Sequence, residues 1–455
     1  MAKVLFVLDQ ILFRPDGRRA GLQVRVAGMA QALAKRGHHI VVAEPRPGSS
    51  GDVPPSWRFV DLADIAAELP VAASIVHPLL LERHYDVLRA GPIVADAYEF
   101  PFGSWLAHSA SQLDALGARV MHDYRATMAH YLRALDRADR ILCASEPQRW
   151  GYLTLACMLG KINPRHYASD LVLTVPSGAA PDPPARERSR HPRLAEIKTR
   201  GPIVLWFGGI YPWFDIDVYL GAMPLIAREV TNVQFLFVGA GGVDHREGEP
   251  LTHPGALRLR AALESDGDLK ARTHLLEHGA YEERREVFLA SDLGVCTQGD
   301  HLETAFSMRT RLIDMMWGGV PVVATVGDGI GQLVHASGAG MVVPPADAPA
   351  LARAVVSLLR QPEALRSMSA KARQLAAGVL SWDHQIEPLH RYCLAPRRDP
   401  SRGDALVATT AARIVGIQDG RRWRLRDRYV RARSKASRAL AILRARGLAR
   451  LVRAR

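Results

Sequence analysis

The chain has 455 residues, 48% of them apolar and 23% charged, which is the make-up of a folded globular protein and more sequence than one ordinary core uses. No apolar run approaches the roughly 20 residues of a membrane span, and the opening run from Lys3 to Leu8 is too short for a signal-peptide core, so the chain is expected in the cytoplasm. The formal net charge of +13 resembles a nucleic-acid signal until it is localised: residues 396–455 hold 18 Lys and Arg against 4 Asp, leaving 41 basic and 42 acidic side chains in the body. Cys143, Cys157, Cys296 and Cys393 lie far apart, which argues against a disulfide framework or a structural metal site and for buried reduced thiols.

In chain order, residues 3–8 are a first β-strand and a loop from Gly17 to Gly21 follows. The spacing of Val24, Val26, Ala27, Ala30, Leu33 and Ala34 predicts a helix over 22–36. Gly37 closes it and a second strand covers 38–43. Shorter strands are expected at 74–76 and 92–95, the latter running into Asp96-Ala97-Tyr98-Glu99, acids on the ligand-binding edge of an open parallel sheet. Arg137–Glu146 is a helix end entering a strand, and residues 171–175 form the last strand of a domain spanning 1–180. A linker over 181–200 is rich in Pro and charge.

A second domain, 201–377, starts with the strand 202–207 and the turn Gly208-Gly209. The run Val233–Gly241 hints at a dinucleotide fingerprint, but Asp244 stands at its third glycine position, which favours a close-packing turn and disfavours an NAD-linked dehydrogenase. Tyr281 precedes a helix ending near Ala290 and is a candidate stacking platform for a base. After the apolar run Leu293–Cys296 comes a polar loop with Asp300, His301 and Glu303. A helix is then expected over 307–317, with Arg309, Arg311 and Asp314 off its apolar side, and after Gly318-Gly319 a buried strand over 320–324. A loop leaving a strand and opening a helix is where α/β folds take anionic ligands, because the first-turn N–H groups point at the ligand.

This last stretch resembles the donor-site signature of family 4 (group 1) glycosyltransferases of the GT-B class, in which a Glu, a Phe, a helix with a second acid and a Gly-x-Pro-Val-Val-Ala strand follow in order. Aligned on Gly319-Val320-Pro321, the second acid is Asp314, with Phe306 and Glu303 before it and Arg311 where the usual spacing has Glu. The glycine loop near Gly21 and the Ala138-Asp139 strand entry fit the same pattern, as does the crossover segment 378–395 with Ser381-Trp382-Asp383. The resemblance implies two doubly wound Rossmann-like α/β domains facing across a cleft. It further implies a retaining transfer of a sugar from a nucleotide-diphosphate sugar to a glycan or lipid-linked hydroxyl in cell-surface polysaccharide or glycolipid synthesis, with no metal or other cofactor. Asp96 takes the place of the family's His-Asp pair, with His108 or His122-Asp123 as other sources of an imidazole.

One departure bears on the chemistry. The family follows Gly208-Gly209 with an Arg and a Lys for the donor diphosphate; here Ile210-Tyr211-Pro212-Trp213 supplies no cation. A diphosphate of about two charges needs compensation in a partly dry cleft. Arg309 and Arg311, with Gly208, Gly209 and a helix start at Ser307, are the expected replacements. Residues two apart cannot share one helix face, so Arg309, nearer the helix start, is chosen.

The basic tail, 396–455, interleaves Arg with Leu425, Tyr429, Leu440 and Ile442. It can lie on an anionic membrane, making the protein peripheral on the inner membrane face; it can bind nucleic acid without specificity; or it can stay solvated. Two other functions share this reading: a nucleotide-sugar epimerase, which needs no acceptor, and a nonenzymatic nucleotide-sugar-binding scaffold.

Overall fold

A computed structural model describes residues 1–47, 53–167, 170–185, 188–242 and 253–401. The first sheet holds β1 (Lys3–Val7), β2 (His39–Glu44), β3 (Arg58–Asp61), β4 (Ala73–Val76), β5 (Ile93–Asp96), β6 (Arg140–Cys143) and β7 (Val172–Thr174), in the order β3-β2-β1-β4-β5-β6-β7. The second holds β8 (Ile203–Phe207), β9 (Gln234–Val238), β10 (Thr273–Leu276), β11 (Leu293–Cys296), β12 (Val322–Thr325) and β13 (Gly340–Val343), in the order β10-β9-β8-β11-β12-β13. Every pairing of these strands is parallel.

Parallel strands need helical crossovers, and these cover both faces of each sheet. Along β1, Val4 and Phe6 enter one core while Leu5 and Val7 enter the other, which is why the central strands are continuously apolar in sequence. The strands that sequence patterning does not predict, β3 and β10, are sheet edges whose polar side chains remain partly exposed, so their apolar signal is weak.

The predicted helix over 307–317 starts three residues late and is preceded by a separate short one. His301 caps a short helix, Leu302–Phe306, by accepting the Thr304 N–H at 3.2 Å, and the main helix runs only from Thr310 to Trp317. Ser307 is extended backbone between them, so the expected helix start there moves to Thr310.

Trp382 ties the crossover to the first domain. Its indole fills the space above Gly28 and Gly178, where any Cβ would collide with it. Beyond it the chain does not leave the body at 396. Asp399 and Lys161, both nearly inaccessible, pair at 2.7 Å, the Asp399 N–H donates to Asp139 at 2.9 Å, and Arg398 donates to the Ala90 carbonyl at 2.7 Å. Residues 396–401, expected in the tail, are therefore fastened to the first domain. The rest of the tail lies outside the described residues. Cys157 is exposed, against the expectation of buried thiols; the other three are buried. Among the described residues no helix is long and apolar enough to cross a membrane.

Candidate active site

In the second sheet the strand order reverses between β8 and β11, so the loops leaving these strands open side by side, which in such sheets makes the ligand crevice. They are tied to each other. The Asp215 N–H donates to the Thr297 carbonyl at 3.0 Å, and the Thr297 hydroxyl donates back to the Asp215 carbonyl at 2.5 Å.

Arg311, in the first turn of the helix Thr310–Trp317, reaches back to the β8 turn. Its Nη2 donates to the Gly209 carbonyl at 2.8 Å, and its guanidinium lies 3.8 Å over Phe214 and 5.5 Å over Trp206. Gly208 has φ +92°, and a Cβ there would meet Arg311 Nη2 at 3.2 Å, so the turn needs glycine on both counts. Arg311 has no carboxylate partner among the described residues, its Nη1 is buried without an acceptor, and burial lowers its pKa. A guanidinium held this way in a dry site calls for an anion.

Arg309 does something else. It is about 3% exposed, its Nε donates to Asp328 at 2.8 Å, its Nη2 bonds the other Asp328 oxygen, and it donates to the Thr325 carbonyl at 2.9 Å. Its charge is already neutralised, so the choice of Arg309 over Arg311 is corrected: Arg309 is structural, and Arg311 faces the turn.

Asp96 also differs from expectation. Arg25, on the buried side of the helix Gly21–Lys35, grips it with Nε at 3.0 Å and Nη2 at 2.8 Å, and Asp96 is 2% exposed. The acid that reaches the surface on this edge is Glu99, which accepts the Tyr98 hydroxyl at 2.9 Å. His108 and His122 are both exposed, and His108 is paired with Gln112 at 3.0 Å.

Glu303 packs against Gly103 of the first-domain helix Pro101–Ala110, where a Cβ would come within 2.8 Å of its Cα. Burial, helped by the charge of Glu99, pushes its pKa up to about 8. Phe306 stacks on Phe100 of the first domain with centroids 4.1 Å apart, and its carbonyl accepts from Gln148 at 2.8 Å. Ser307 donates to Gln298 at 3.3 Å.

On the other side of the cleft the Tyr281 N–H donates to the Gly17 carbonyl at 2.8 Å. The Tyr281 ring, expected to stack a base, instead lies under the guanidiniums of Arg284 at 3.4 Å and Arg19 at 4.9 Å. Asp314 sits 3.5 Å from Arg284, not beside Arg311, and burial raises its pKa against the pull of Arg284. Gly21 opens its helix with nothing within 4 Å of a Cβ; the loop glycine that is sterically required is Gly17, at φ +69° and hard against Ala280. Arg19, Phe100 and His278 are not singled out from the sequence, and Glu99 is named there only as the second acid of the β5 edge. The Gly17-Arg18-Arg19 run, cations in a loop at the carboxyl edge of β1, is the signal that could have found the first.

Residues 201–361 match the sequence family described as "Glycosyl transferases group 1". That match lies within the second domain. The fold is similar to that of HepE from Anabaena in complex with UDP and glucose, with TM-score 0.61 at 13% identity over 87% of this chain and 100% of that one. It is also similar to sucrose-phosphate synthase from Thermosynechococcus elongatus, with TM-score 0.59 at 16% identity over 87% and 100%. A third likeness is to WaaG, a glycosyltransferase involved in lipopolysaccharide biosynthesis, with TM-score 0.55 at 17% identity over 86% and 100%. At such identities the likeness is one of fold, and the fold is GT-B. None of the curated proteins matches the sequence.

Proposed function

We propose that the enzyme is a retaining transferase that moves a sugar from a nucleotide-diphosphate sugar to a hydroxyl of a glycan or glycolipid in cell-surface polysaccharide or glycolipid synthesis. The observation that carries the donor half is Arg311: a desolvated guanidinium with a buried, unbonded N–H, set on the glycine turn at the strand-order switch. As the donor bond breaks, charge builds on the departing diphosphate, and a fixed cation there stabilises the transition state more than the ground state. Protein cations rather than a metal serve that charge in this reading.

Glu303, protonated near neutral pH, can donate as well as accept, and is offered to the donor sugar's hydroxyls. Asp314 with Arg284 is offered to the ribose. Glu99, exposed on the first domain and within electrostatic reach of Glu303, is offered to the acceptor hydroxyl in place of Asp96. The basic tail beyond 401 is offered to an anionic membrane surface that carries a lipid-linked acceptor.

Thermal unfolding of the purified protein in a panel of nucleoside diphosphates tests the donor half, since a ligand at 100 times its dissociation constant adds about 2.7 kcal/mol. A shift with one base and none with the others identifies the donor class. No shift with any of them contradicts the reading.

A further inference from the structure

We infer that Gln148 is a positioning residue for Glu303: from the first domain it holds the second-domain segment Leu302–Phe306 in a socket between two helices, and so fixes where the Glu303 side chain stands. This rests on the reading of Glu303 as the acid offered to the donor sugar, and adds to it the residue that places that acid.

A helix of five residues is too short to be stable alone, so contacts outside it decide where Leu302–Phe306 lies. It ends at Phe306, and the extended Ser307 leaves the Phe306 carbonyl without a next turn to serve. Gln148 Nε2 donates to that carbonyl at 2.8 Å. Gln148 is 1% exposed and stands in the first turn of the first-domain helix Glu146–Met158, which Ser145 caps. Its Oε1 accepts the Ala144 N–H at 2.7 Å, and its Nε2 also donates to the Tyr98 carbonyl at 3.0 Å. With the oxygen and both N–H groups engaged, the amide can point only one way. One side chain thus joins the strand edge that carries Glu99 to the loop that carries Glu303.

Two glycines shape the socket, Gly103 in the helix Pro101–Ala110 and Gly151 in the helix Glu146–Met158. Glycine weakens a helix relative to alanine, and neither residue has the positive φ that would call for it. What they provide is room. A Cβ on Gly103 would stand 2.8 Å from Glu303 Cα and collide with its carboxylate, and one on Gly151 would meet the rings of Phe100 at 2.9 Å and Phe306 at 3.3 Å. Those two rings are stacked, 4.1 Å apart and 12° from parallel. Seated in this way, Glu303 loses water to the first domain, and its raised pKa reports the seating. The charges around it are few. Asp300 and His301 on its own loop are exposed, and His301 is bonded to the Trp213 carbonyl at 3.1 Å. Across the socket Glu146 accepts from Thr174 at 3.0 Å, Arg149 lies over Trp150, and exposed His108 is in the last turn of its helix. Glu99, on the β5 edge, is the charge that adds to burial.

The test is an infrared pH titration of the Glu303 carboxyl in the full chain, its C=O stretch assigned as the band that Glu303→Gln removes. Wild type is compared with Gln148→Met, which keeps the length of the side chain without its hydrogen bonds, and with Gly151→Ala, which fills the socket from the other side. Wild type should titrate at about 8, and in both variants the midpoint should fall by about one pH unit or more toward the ordinary carboxyl value. Gly151→Ala should also melt below wild type, although its helix propensity alone would raise the melting temperature. A Glu303 midpoint unchanged in folded Gln148→Met overturns the inference. Should Gln148→Met not fold, Gly151→Ala decides: a higher melting temperature with the midpoint unchanged overturns it as well. A midpoint that falls in both variants of a protein that no nucleoside diphosphate stabilises supports the positioning and removes the donor reading instead.

Discussion

Arg309 and Asp328 close on each other as a fully buried, two-pronged ion pair, and the carboxylate that neutralises Arg309 also caps the next helix by accepting the Gly331 N–H at 2.9 Å. Two residues on, Arg311 has no such partner among the described residues. The difference between these arginines divides the loop after β11 into a part that holds it in place and a part open to the proposed donor.

Breaking the first pair should be costly. Asp328→Asn leaves the Arg309 charge buried without its counter-ion, and removing one member of such a pair costs about 3–5 kcal/mol. Chemical denaturation should show that drop, whereas Arg309→Met/Asp328→Leu, which removes both charges, should recover most of it. Equal stability of the Asp328→Asn protein and wild type would mean the pair is solvated in solution.

Arg311→Met should act with opposite signs on stability and binding. It removes a half-buried charge that has no carboxylate partner among the described residues and whose Nη1 is inaccessible, while keeping contact with Phe214 and Trp206, so the ligand-free protein should melt at a higher temperature. The same variant should forfeit most of the stabilisation by a nucleoside diphosphate. A variant that melts lower and binds normally would make Arg311 a packing residue.

Glu303 gives a pH signature. Its folded-state pKa of about 8 lies above its unfolded value, so between roughly pH 4.5 and 8 the folded protein holds a proton that the unfolded chain releases. The sign follows: this group's contribution is full below pH 4.5 and is lost as pH rises through 8. Glu303→Gln, which cannot ionise, should match wild type at pH 5 and become the more stable of the two by pH 9. Parallel melting curves for the two proteins across that range would show that Glu303 ionises normally.

The position of the tail boundary can be tested by truncation. Ending the chain at 401 keeps the Asp399–Lys161 pair, and the melting temperature should not change. Ending it at 395 strands a buried Lys161 and should destabilise the fold by a few kcal/mol, about 3–5 by the same reasoning as for Asp328. On the membrane reading, the chain ending at 401 should no longer sediment with anionic vesicles; unchanged sedimentation would remove the tail from that role.

Much of the architecture was legible because central strands buried on both faces read as apolar runs bounded by glycine turns, as at Pro202–Gly209 and Leu293–Cys296. The edge strands β3 and β10 were not, since half of each faces water. The loop after β11 was visible as a strand-to-helix connection, but the partners of its side chains were not. Proximity of Arg309 to a helix start says nothing of Asp328, nineteen residues away and joined to it only by the fold. The same holds for Asp96, whose partner is brought to it by the fold. That partner, Arg25, is the one cation on the buried face of the helix Gly21–Lys35, and a charge at such a position in the sequence marks a need for a buried counter-ion.

The central claim is that the donor's diphosphate lies on the Gly208-Gly209 turn beside Arg311, and a crystal structure with a nucleoside diphosphate bound measures it directly. The account predicts phosphate oxygens within hydrogen-bonding distance of Arg311 Nη1, with Arg309 still held by Asp328. A diphosphate bound away from this turn, with Arg311 Nη1 unbonded as before, would contradict it.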